Sequence, residues 1–289
     1  MKKIEILGLD KFRGKNPLPD FYVNNLKDHL ATNHLHIEKP HKHDFFATMI
    51  FTVGSGKHHI DFNTYDVKPG SVFAMSPGQV HHWELSDDAD GFIFFHTKSF
   101  YEMRYADEKL SNYAFFSQVE AVNSVEIPKD KFSGFVNYFR KMSEVNPSDE
   151  KAKRHFVIAL ITQVYVEMKQ FSSAQNPTGK TLAYASKFSK FGQLLEANFR
   201  IEKSPDKYAA MLNITAKHLN RINQETVAKS TSEIIIERVL LEAKRLLIHS
   251  DGNFSEIASM LGYDDYAYFS KLFRKKVGVT VSGFAKREV

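Results

Sequence analysis

Ten of the thirteen histidines lie before residue 97, and some of them have a spacing that could do chemistry. His41 and His43 are separated by one residue, so both side chains share a face if the segment is a strand. His81 and His82 follow the turn signal Pro77-Gly78. Imidazole nitrogens, especially together with a carboxylate, bind iron, manganese or zinc. The first half of the chain therefore holds the residues for a metal site or for the polar groups of a binding pocket.

Short strands are predicted around these histidines. Phe45–Val53 is rich in β-branched and aromatic residues and stops at Gly54-Ser55-Gly56. His58, Ile60 and Phe62 alternate in the next segment and share one face. The predicted strands are Phe45–Val53, Lys57–Phe62, Ser71–Met75, Val80–Leu85 and Gly91–His96. A spacing of about ten residues with Gly and Pro between the strands predicts an antiparallel sandwich or barrel rather than a βαβ sheet.

The two histidine segments are similar to the sequence motifs of cupin barrels, a His-x-His strand followed by Gly…Pro-Gly-x-x-His. In metal-binding cupins, an acidic residue a few positions after the first motif completes the ligand set. That position falls here on Ala47 or Thr48, so His41, His43 and His81 would have to hold an ion without the carboxylate. The resemblance implies a barrel that retains the open end of the cupin fold but no longer binds a metal. We therefore predict no metal and no cofactor.

A small-molecule pocket is the expected use of such a barrel interior, with apolar walls and a few fixed polar groups. We predict that His43, Phe45, His81 and Trp83 line the effector site, with His96 as a further candidate. The alternative is that Trp83 and the phenylalanines are ordinary core residues.

Helical patterns follow after residue 98. One amphipathic stripe consists of Phe132, Phe135, Val136, Phe139 and Met142. A second helix is predicted over Glu150–Phe171, with Phe156, Leu160 and Val164 on one face. These helices either pack on the barrel or pair two copies of the chain, and we favour a homodimer. The polar segment Ser172–Gly179 is the predicted linker.

From Thr181 onward the pattern is entirely helical, and the sequence repeats itself. Tyr208–Ile214 matches Ile257–Tyr263 with an offset of 49 residues. Leu219–Ile222 matches Phe269–Leu272 with an offset of 50 residues. Small residues in the first helix and a short turn before the second are typical of a helix-turn-helix. The sequence therefore predicts two such motifs.

Capping signals place the helices of both copies. Ser204 before Pro205 is a helix start, and Asn253 with Glu256 three residues later predicts a capping box. Between the copies, Thr231–His249 is predicted as one helix of about 28 Å at 1.5 Å per residue. That length is close to the roughly 34 Å between successive major-groove faces of B-DNA. A rigid spacer of this size would let both motifs reach one side of a duplex.

The outer faces of the two second helices carry the side chains that read DNA. Asn, Gln, Arg and Lys hydrogen-bond base edges and phosphates in the major groove. Residues 180–289 contain 18 basic and 12 acidic side chains, while the whole chain has a net charge of +5, so the positive excess lies here. The predicted DNA-binding residues are Lys217, His218, Asn220, Arg221 and Gln224 in the first copy and Asp265, Tyr266, Ala267, Ser270, Lys271, Arg274 and Lys275 in the second.

Residues 181–287 resemble the DNA-binding domain of the AraC/XylS family of bacterial transcription regulators. Two positions depart from the family pattern: Val281 stands where a Pro is usual and Ala228 where a Gly is usual. Both are helix junctions. The segments that carry the resemblance are Glu237–Leu247, Glu256–Ala258, Leu261–Asp265, Tyr268–Lys271, Phe273–Lys275 and Gly278–Thr280.

The resemblance implies a multidomain α+β protein. Residues 1–175 would form a cupin-like antiparallel β-barrel with flanking helices for packing or dimerisation. Residues 181–289 would form an all-α domain with two helix-turn-helix motifs joined by a long helix. The implied function is a sequence-specific transcription activator that binds double-stranded promoter DNA. The family also suggests RNA polymerase as a partner and a small-molecule effector, of which a sugar is one example.

Composition excludes several other classes. Because the chain has no cysteine, it has no disulfide, thiolate zinc site, iron–sulfur cluster or cysteine nucleophile. With no apolar tract long enough to span a bilayer and no secretory signal pattern, we expect a cytoplasmic protein without a membrane partner. No Ser-His-Asp order, Walker loop or Rossmann glycine pattern supports an enzyme. Two alternatives stay open: a metal-dependent cupin enzyme with a helical accessory domain, and a DNA-binding protein with a ligand-free barrel.

Overall fold

The computed structural model describes residues 6–12, 18, 20–37, 39–102, 110, 113–116, 123–145, 149–172, 179–249 and 253–287. The chain divides into two compact units, Glu5–Asn176 and Pro177–Val289. The interior of the predicted linker, residues 173–178, lies outside the described residues. Among the helices that are described, none has the length and apolar character needed to cross a bilayer.

In the N-terminal unit, the described residues form two five-stranded sheets. One has the order β1-β3-β8-β5-β6 and the other β10-β7-β4-β9-β2. The β1–β3 pair is parallel, and the other pairs of neighbouring strands are antiparallel. The strands are β1 Ile6–Leu7, β2 Phe21–Asn25, β3 His41–His43, β4 Phe46–Val53, β5 Gly56–Ile60, β6 Asn63–Val67, β7 Ser71–Met75, β8 Val80–Leu85, β9 Asp90–His96 and β10 Ser124–Glu126.

Four α-helices are described in this unit: α1 Leu26–Ile37, α2 Lys98–Glu102, α3 Phe132–Glu144 and α4 Glu150–Ser172. Single turns of 3-10 helix lie at Leu9–Lys11 and Ala114–Phe116. Strands β2, β6 and β10 and helix α1 were not anticipated from the sequence. Their patterns are short or polar, and their conformation depends on the neighbours against which they pair and pack.

Alternation along the strands divides the apolar residues into two cores. Ala47 and Met49 of β4 and Phe95 of β9 point into the space between the sheets. Ile50 of β4 and Phe94 of β9 point outward and pack against α3 and α4. The sheet formed by these strands is therefore buried on both faces.

Two details of the sequence prediction are wrong. Phe156 is 46% exposed, and α4 packs instead through a stripe that includes Val157, Ile161 and Val164. Phe62 is 42% exposed, because β5 ends at Ile60 and the chain turns before continuing the alternation. The stripe predicted for α3 is confirmed, since four of its five residues are buried and Phe132 packs against them.

The C-terminal unit is helical throughout its described residues, as predicted. Helices α6 and α7 form the first helix-turn-helix, and α9 and α10 form the second. Helix α8 joins the two motifs and has the predicted bounds. The helices are α5 Gly179–Asn198, α6 Pro205–Met211, α7 Ala216–Val227, α8 Thr231–His249, α9 Phe254–Met260, α10 Tyr266–Val277 and α11 Val281–Arg287.

Candidate nucleic-acid interface and effector site

The turn of the first helix-turn-helix is closed by polar contacts. Asn213 has a left-handed backbone with φ of 53°, a conformation that Asn tolerates better than most residues. Thr215 caps α7, because its hydroxyl accepts a hydrogen bond of 3.1 Å from the backbone N–H of His218. Ser204 precedes α6 without a capping bond from its side chain, and Pro205 takes the first helical position. The motif therefore begins on Pro205 rather than on a serine cap.

The second turn approaches the segment after α5 more closely than a side chain would allow. Gly262 has φ of +76°, and a β-carbon there would collide with the carbonyl oxygen of Arg200. The predicted capping box is confirmed: Asn253 accepts from the backbone of Glu256, and Glu256 accepts from the backbone of Asn253. Asp265 caps α10 by accepting bonds of 2.7 and 3.3 Å from the backbone N–H groups of residues 267 and 268.

Helix α7 presents the first set of predicted DNA-binding residues. Lys217, Arg221 and Gln224 are exposed, while His218 and Asn220 are half-buried. The guanidinium of Arg221 lies 2.9 Å from Nδ1 of His218, which holds both side chains on the surface. The side-chain oxygen of Asn220 accepts a hydrogen bond of 3.0 Å from the backbone N–H of residue 231, at the start of α8. This bond occupies one of the two acceptor positions of that oxygen and fixes the direction of the Asn220 side chain.

Helix α10 presents the second set. Ala267, Lys271, Arg274 and Lys275 are exposed. Tyr266 and Ser270 are half-buried at the edge of the same surface. Within the part of the chain that the structure describes, the three cations form no ion pair with a carboxylate. Asp265 is exposed but already serves as the helix cap, so its negative charge has a structural use.

Other arginines of this unit are structural and were not foreseen as such. Arg238 is 5% exposed, donates to Glu196 at 2.7 Å, and lies over the ring of Phe199 with its central carbon 3.9 Å from the ring centre. Glu242 accepts bonds from Arg200, Arg238 and Arg245. Burial alone would raise the pKa of Glu242, but the three arginines outweigh it and lower that pKa. These contacts fix α8 against α5.

In the N-terminal unit, four histidines from three strands meet in the interior. His41 and His43 of β3 lie beside His81 of β8, and His58 of β5 lies behind His81. The Nε2 atoms of His43 and His81 are 3.3 Å apart, and Nδ1 of His81 is 3.1 Å from Nε2 of His58. None of the four residues is more than 5% exposed. Burial, with a smaller contribution from the neighbouring imidazoles, lowers the pKa of His43, His58 and His81 well below the ordinary value, so these rings are neutral.

The structure brings the four predicted effector residues together. The ring of His43 stacks on Phe45 with ring centres 4.5 Å apart, and Trp83 lies 5.1 Å from His81. Phe45 is buried, whereas Trp83 is half-buried. His58 was missed as a member of the site, although its alternation with Ile60 was a sufficient signal for an inward direction.

His96 does not belong to this site. It lies at the end of β9 on the outer face of the sheet, where its Nε2 is 2.7 Å from the hydroxyl of Tyr165 on α4. That hydroxyl also lies 3.3 Å from the hydroxyl of Thr48. The suggestion that His96 lines the pocket is therefore wrong. Its direction is set by the strand register, which alternates around Phe95.

A double helix-turn-helix with exposed cations, linked to a β-barrel with a buried polar cluster, defines a ligand-responsive DNA-binding regulator. A family model described as a helix-turn-helix domain matches residues 208–287, and one described as an AraC-like ligand-binding domain matches residues 29–98. Together the two models match slightly more than half of the chain. The chain belongs to the AraC family of transcription regulators.

Several curated proteins are similar over most of their length. The HTH-type transcriptional activator RhaS of Klebsiella pneumoniae is 25% identical over 248 residues, which cover 82% of this chain and 83% of that protein. The lactose operon transcription activator of Staphylococcus xylosus is 22% identical over 242 residues, or 81% of each chain. A crystal structure of fatty-acid-bound ToxT from Vibrio cholerae covers 95% of this chain and 97% of its own, with 15% identity and a TM-score of 0.42.

Proposed function

We propose that this regulator is an activator that binds promoter DNA through α7 and α10 and is controlled by an effector bound between the two sheets. The observation that carries the proposal is the pair of exposed helix faces, each on the second helix of a helix-turn-helix and each bearing Lys and Arg, with Gln224 added on α7. Such helices enter the major groove, where their side chains reach base edges. RhaS and the lactose operon regulator, the two curated relatives described above, are both named as activators.

The proposed interface uses the twelve predicted residues in unequal ways. Arg221, Gln224 and Lys271 have exposed polar ends and are assigned to base edges. Lys275 lies one turn further along α10 and is assigned to a phosphate. Asn220 contributes from a side chain whose direction is fixed by the bond of its oxygen to the start of α8. The other predicted residues complete the surface around these contacts.

Helix α8 acts in this proposal as a spacer between the two reading helices. Its 19 residues give a length of about 28 Å. The ion pair of Arg238 with Glu196 ties it to α5, which in turn packs against both helices of the first motif. A fixed spacer sets the distance between two half-sites on the operator.

The N-terminal unit, residues 1–175 in our assignment, is proposed to bind a small molecule beside His43, Phe45, His81 and Trp83. Buried neutral imidazoles offer a donor and an acceptor within apolar walls, as small-molecule sites require. A sugar is consistent with the lactose operon named in one relative. An effector switches DNA binding only if it has different affinities for the two states of the regulator.

A homodimer is proposed to form through the outer face of α4. Phe156 and Val166 are 46% and 43% exposed, and they lie on one face with the exposed residues Ala159 and Gln163. This apolar stripe faces away from the core that α4 covers. Light scattering on the full chain measures the oligomeric state. RNA polymerase is the further partner that an activator requires at the promoter.

The test is DNA binding by the full chain. Selection from genomic fragments identifies an operator, on which wild type and alanine variants are compared at two salt concentrations. Lys271→Ala should lose about 5- to 150-fold of its preference for operator over random DNA. Lys275→Ala should weaken binding to operator and to random DNA equally. It should also reduce the slope of log K against log salt concentration by about 0.9. Lys141→Ala, an exposed lysine on α3, is the matched control. Equal losses for Lys271→Ala on specific and random DNA would contradict the base-edge assignment, and no selective binding by wild type would refute the function.

A further inference from the structure

We propose that the outer face of the β5–β8 pair binds one divalent transition-metal ion of the zinc type through His59, His82 and Glu84. His59 and His82 stand directly opposite each other in the antiparallel ladder. Glu84 follows His82 by two residues on the same strand, so the three side chains share one face of the sheet. The inference concerns a second site and depends on neither the proposed DNA interface nor the proposed effector site.

This face is opposite to the one that carries the cupin-like histidines. Alternation turns His58 and His81 toward the interior, where both are at most 1% exposed. His59 and His82, the next residue along each strand, are half-buried on the outside. The Pro-Gly-x-x-His motif ends at His81, so the outer residues stand outside it, and the prediction of no metal applies to the interior.

The ring of His59 has one nitrogen in contact and one without a partner. Its Nδ1 lies 2.9 Å from the hydroxyl of Thr64 on β6. Its Nε2 is shielded from solvent and has no hydrogen-bond partner among the described residues, which costs free energy. An ion bound at Nε2 would remove that cost. Nδ1 would then donate its proton to the Thr64 hydroxyl, the kind of contact that fixes the tautomer and direction of metal-bound histidines.

The distances fit the ligands of one ion better than direct bonds between the side chains. Nε2 of His59 is 3.6 Å from Oε1 of Glu84, which is too long for a hydrogen bond. A nitrogen and an oxygen bound tetrahedrally to zinc at about 2.0–2.2 Å would be separated by roughly 3.3–3.6 Å. The rings of His59 and His82 are nearly parallel, with centres 4.4 Å apart. One ligand atom of each of the three residues lies within 4.8 Å of the other two, so modest side-chain rotations bring all three to a common centre.

The charges around the cluster also favour a cation. Two neutral imidazoles and one carboxylate form a ligand set that binds zinc and leaves a fourth position open. Lys57 stands opposite Glu84 in the ladder, but its ammonium lies 3.8 Å from Asp66. The carboxylate of Glu84 lies instead toward His59, where it can neutralise half of the charge of a divalent ion.

An ion in this position would tie β5 to β8. Because its ligands come from two strands, the ion binds the folded unit in preference to the unfolded chain and stabilises it by mass action. Trp83 lies between His82 and Glu84 on β8. The fluorescence of this residue therefore reports both the arrival of an ion and the unfolding of the N-terminal unit.

The experiment is a Cu²⁺ titration of the chelator-treated full chain near neutral pH, followed by quenching of Trp83 fluorescence, with Zn²⁺ as competitor. Cu²⁺ binds such ligands more tightly than Zn²⁺, which makes it the sharper probe. Wild type should bind a saturating equivalent that Zn²⁺ displaces. His59→Gln, His82→Gln and Glu84→Gln should each weaken binding at least tenfold. Thr64→Val should weaken binding about tenfold through the orientation of His59, whereas Thr64→Ser, which keeps the hydroxyl, should retain it.

Two control variants locate the ion. His41→Gln removes an interior imidazole, and His155→Gln removes a half-buried imidazole on α4. Both should leave the affinity for Cu²⁺ unchanged, and circular dichroism accompanies every variant to show that it is folded. In urea unfolding followed by Trp83, Zn²⁺ should raise the midpoint for wild type and for His155→Gln and should not raise it for His59→Gln.

The outcomes separate this inference from the proposed function. No saturable binding by wild type would overturn the inference and leave His59 and Glu84 as an ordinary surface pair. An affinity that is lost in His41→Gln and kept in His59→Gln would place the ion in the interior and overturn it equally. Operator binding, measured in parallel with chelator and with Zn²⁺, tests the proposed regulator, so either proposal can fail while the other stands.

Discussion

The end of α7 offers a sharp test of how the DNA-reading unit is built. Ala228 follows this helix with φ of 54° and ψ of 28°, a left-handed conformation, and its N–H bonds to the carbonyl of Gln224. The equivalent position after α10 is Gly278, with φ of +86°. The left-handed region costs a residue with a β-carbon about 1–2 kcal/mol, while glycine adopts it freely. We therefore expect Ala228→Gly to stabilise the C-terminal unit.

The magnitude follows from two opposing terms. Glycine at residue 228 relieves about 1–2 kcal/mol of backbone strain in the folded state. Its greater conformational freedom in the unfolded chain lowers the stability by about 0.4–1 kcal/mol. The net gain is about 0.5–1 kcal/mol, or a rise in melting temperature of about 2–6 °C for a unit of this size. Gly278→Ala should lose a similar amount. A β-carbon on Gly278 would meet no atom within 4 Å, so the whole loss would come from the backbone.

Urea unfolding of the full chain measures both changes. The single tryptophan, Trp83, lies in the N-terminal unit, so its fluorescence follows that unit alone. Circular dichroism follows the helices of both units, so the part of the helical transition that the tryptophan does not share reports on the C-terminal unit. Ala228→Gly should move the helical transition and leave the tryptophan transition in place. Ala210→Gly, on the exposed face of α6, is the control and should destabilise by about 0.5–1 kcal/mol. If Ala228→Gly left the free energy of unfolding unchanged or lowered it, the proposed backbone strain at Ala228 would be refuted.

Two further results are expected. Gly262→Ala should destabilise the C-terminal unit by about 2–3 kcal/mol and weaken operator binding, because the added β-carbon would strike the carbonyl of Arg200 and the residue has a positive φ. Urea unfolding measures the loss of stability, and operator titration measures the loss of binding. Wild-type values in both assays would disprove the close contact. Burial lowers the pKa of His96 from 6.5 to about 4, so the unfolded chain takes up this proton first as the pH falls. Stability from this group is therefore fully present above about pH 6.5 and decreases by about 3 kcal/mol toward pH 4. His96→Gln should remove that part of the pH dependence, and an unchanged pH profile of unfolding would contradict it.

Regular local patterns predicted most of the elements. The apolar stripe of α3 and the bounds of α8 follow from helical periodicity. The capping box at Asn253 uses contacts between residues three apart, so it can be read along the chain. Once the buried stripe of α7 and of α10 is assigned from the sequence, the opposite face of each helix is predicted to be exposed and available for DNA.

Tertiary structure decided which of the candidate side chains meet. His58 joins the histidine cluster because β5 pairs with β8, and His96 leaves it because β9 turns that side chain toward Tyr165. The side-chain oxygen of Asn220 accepts a hydrogen bond from the backbone at the start of α8, eleven residues away in the chain. These outcomes depend on strand register and helix packing between distant segments, for which a single sequence carries no periodic signal.

The sequence alone therefore determined the class of this protein: the duplicated helix-turn-helix, the rigid spacer, the basic faces and the histidine-bearing barrel are all encoded in local spacing. Only the fold decided the chemistry of the interior. His41, His43 and His81 lie together because β3 and β8 pair in one particular register, and a shift of that register by one residue would turn His81 to the opposite face.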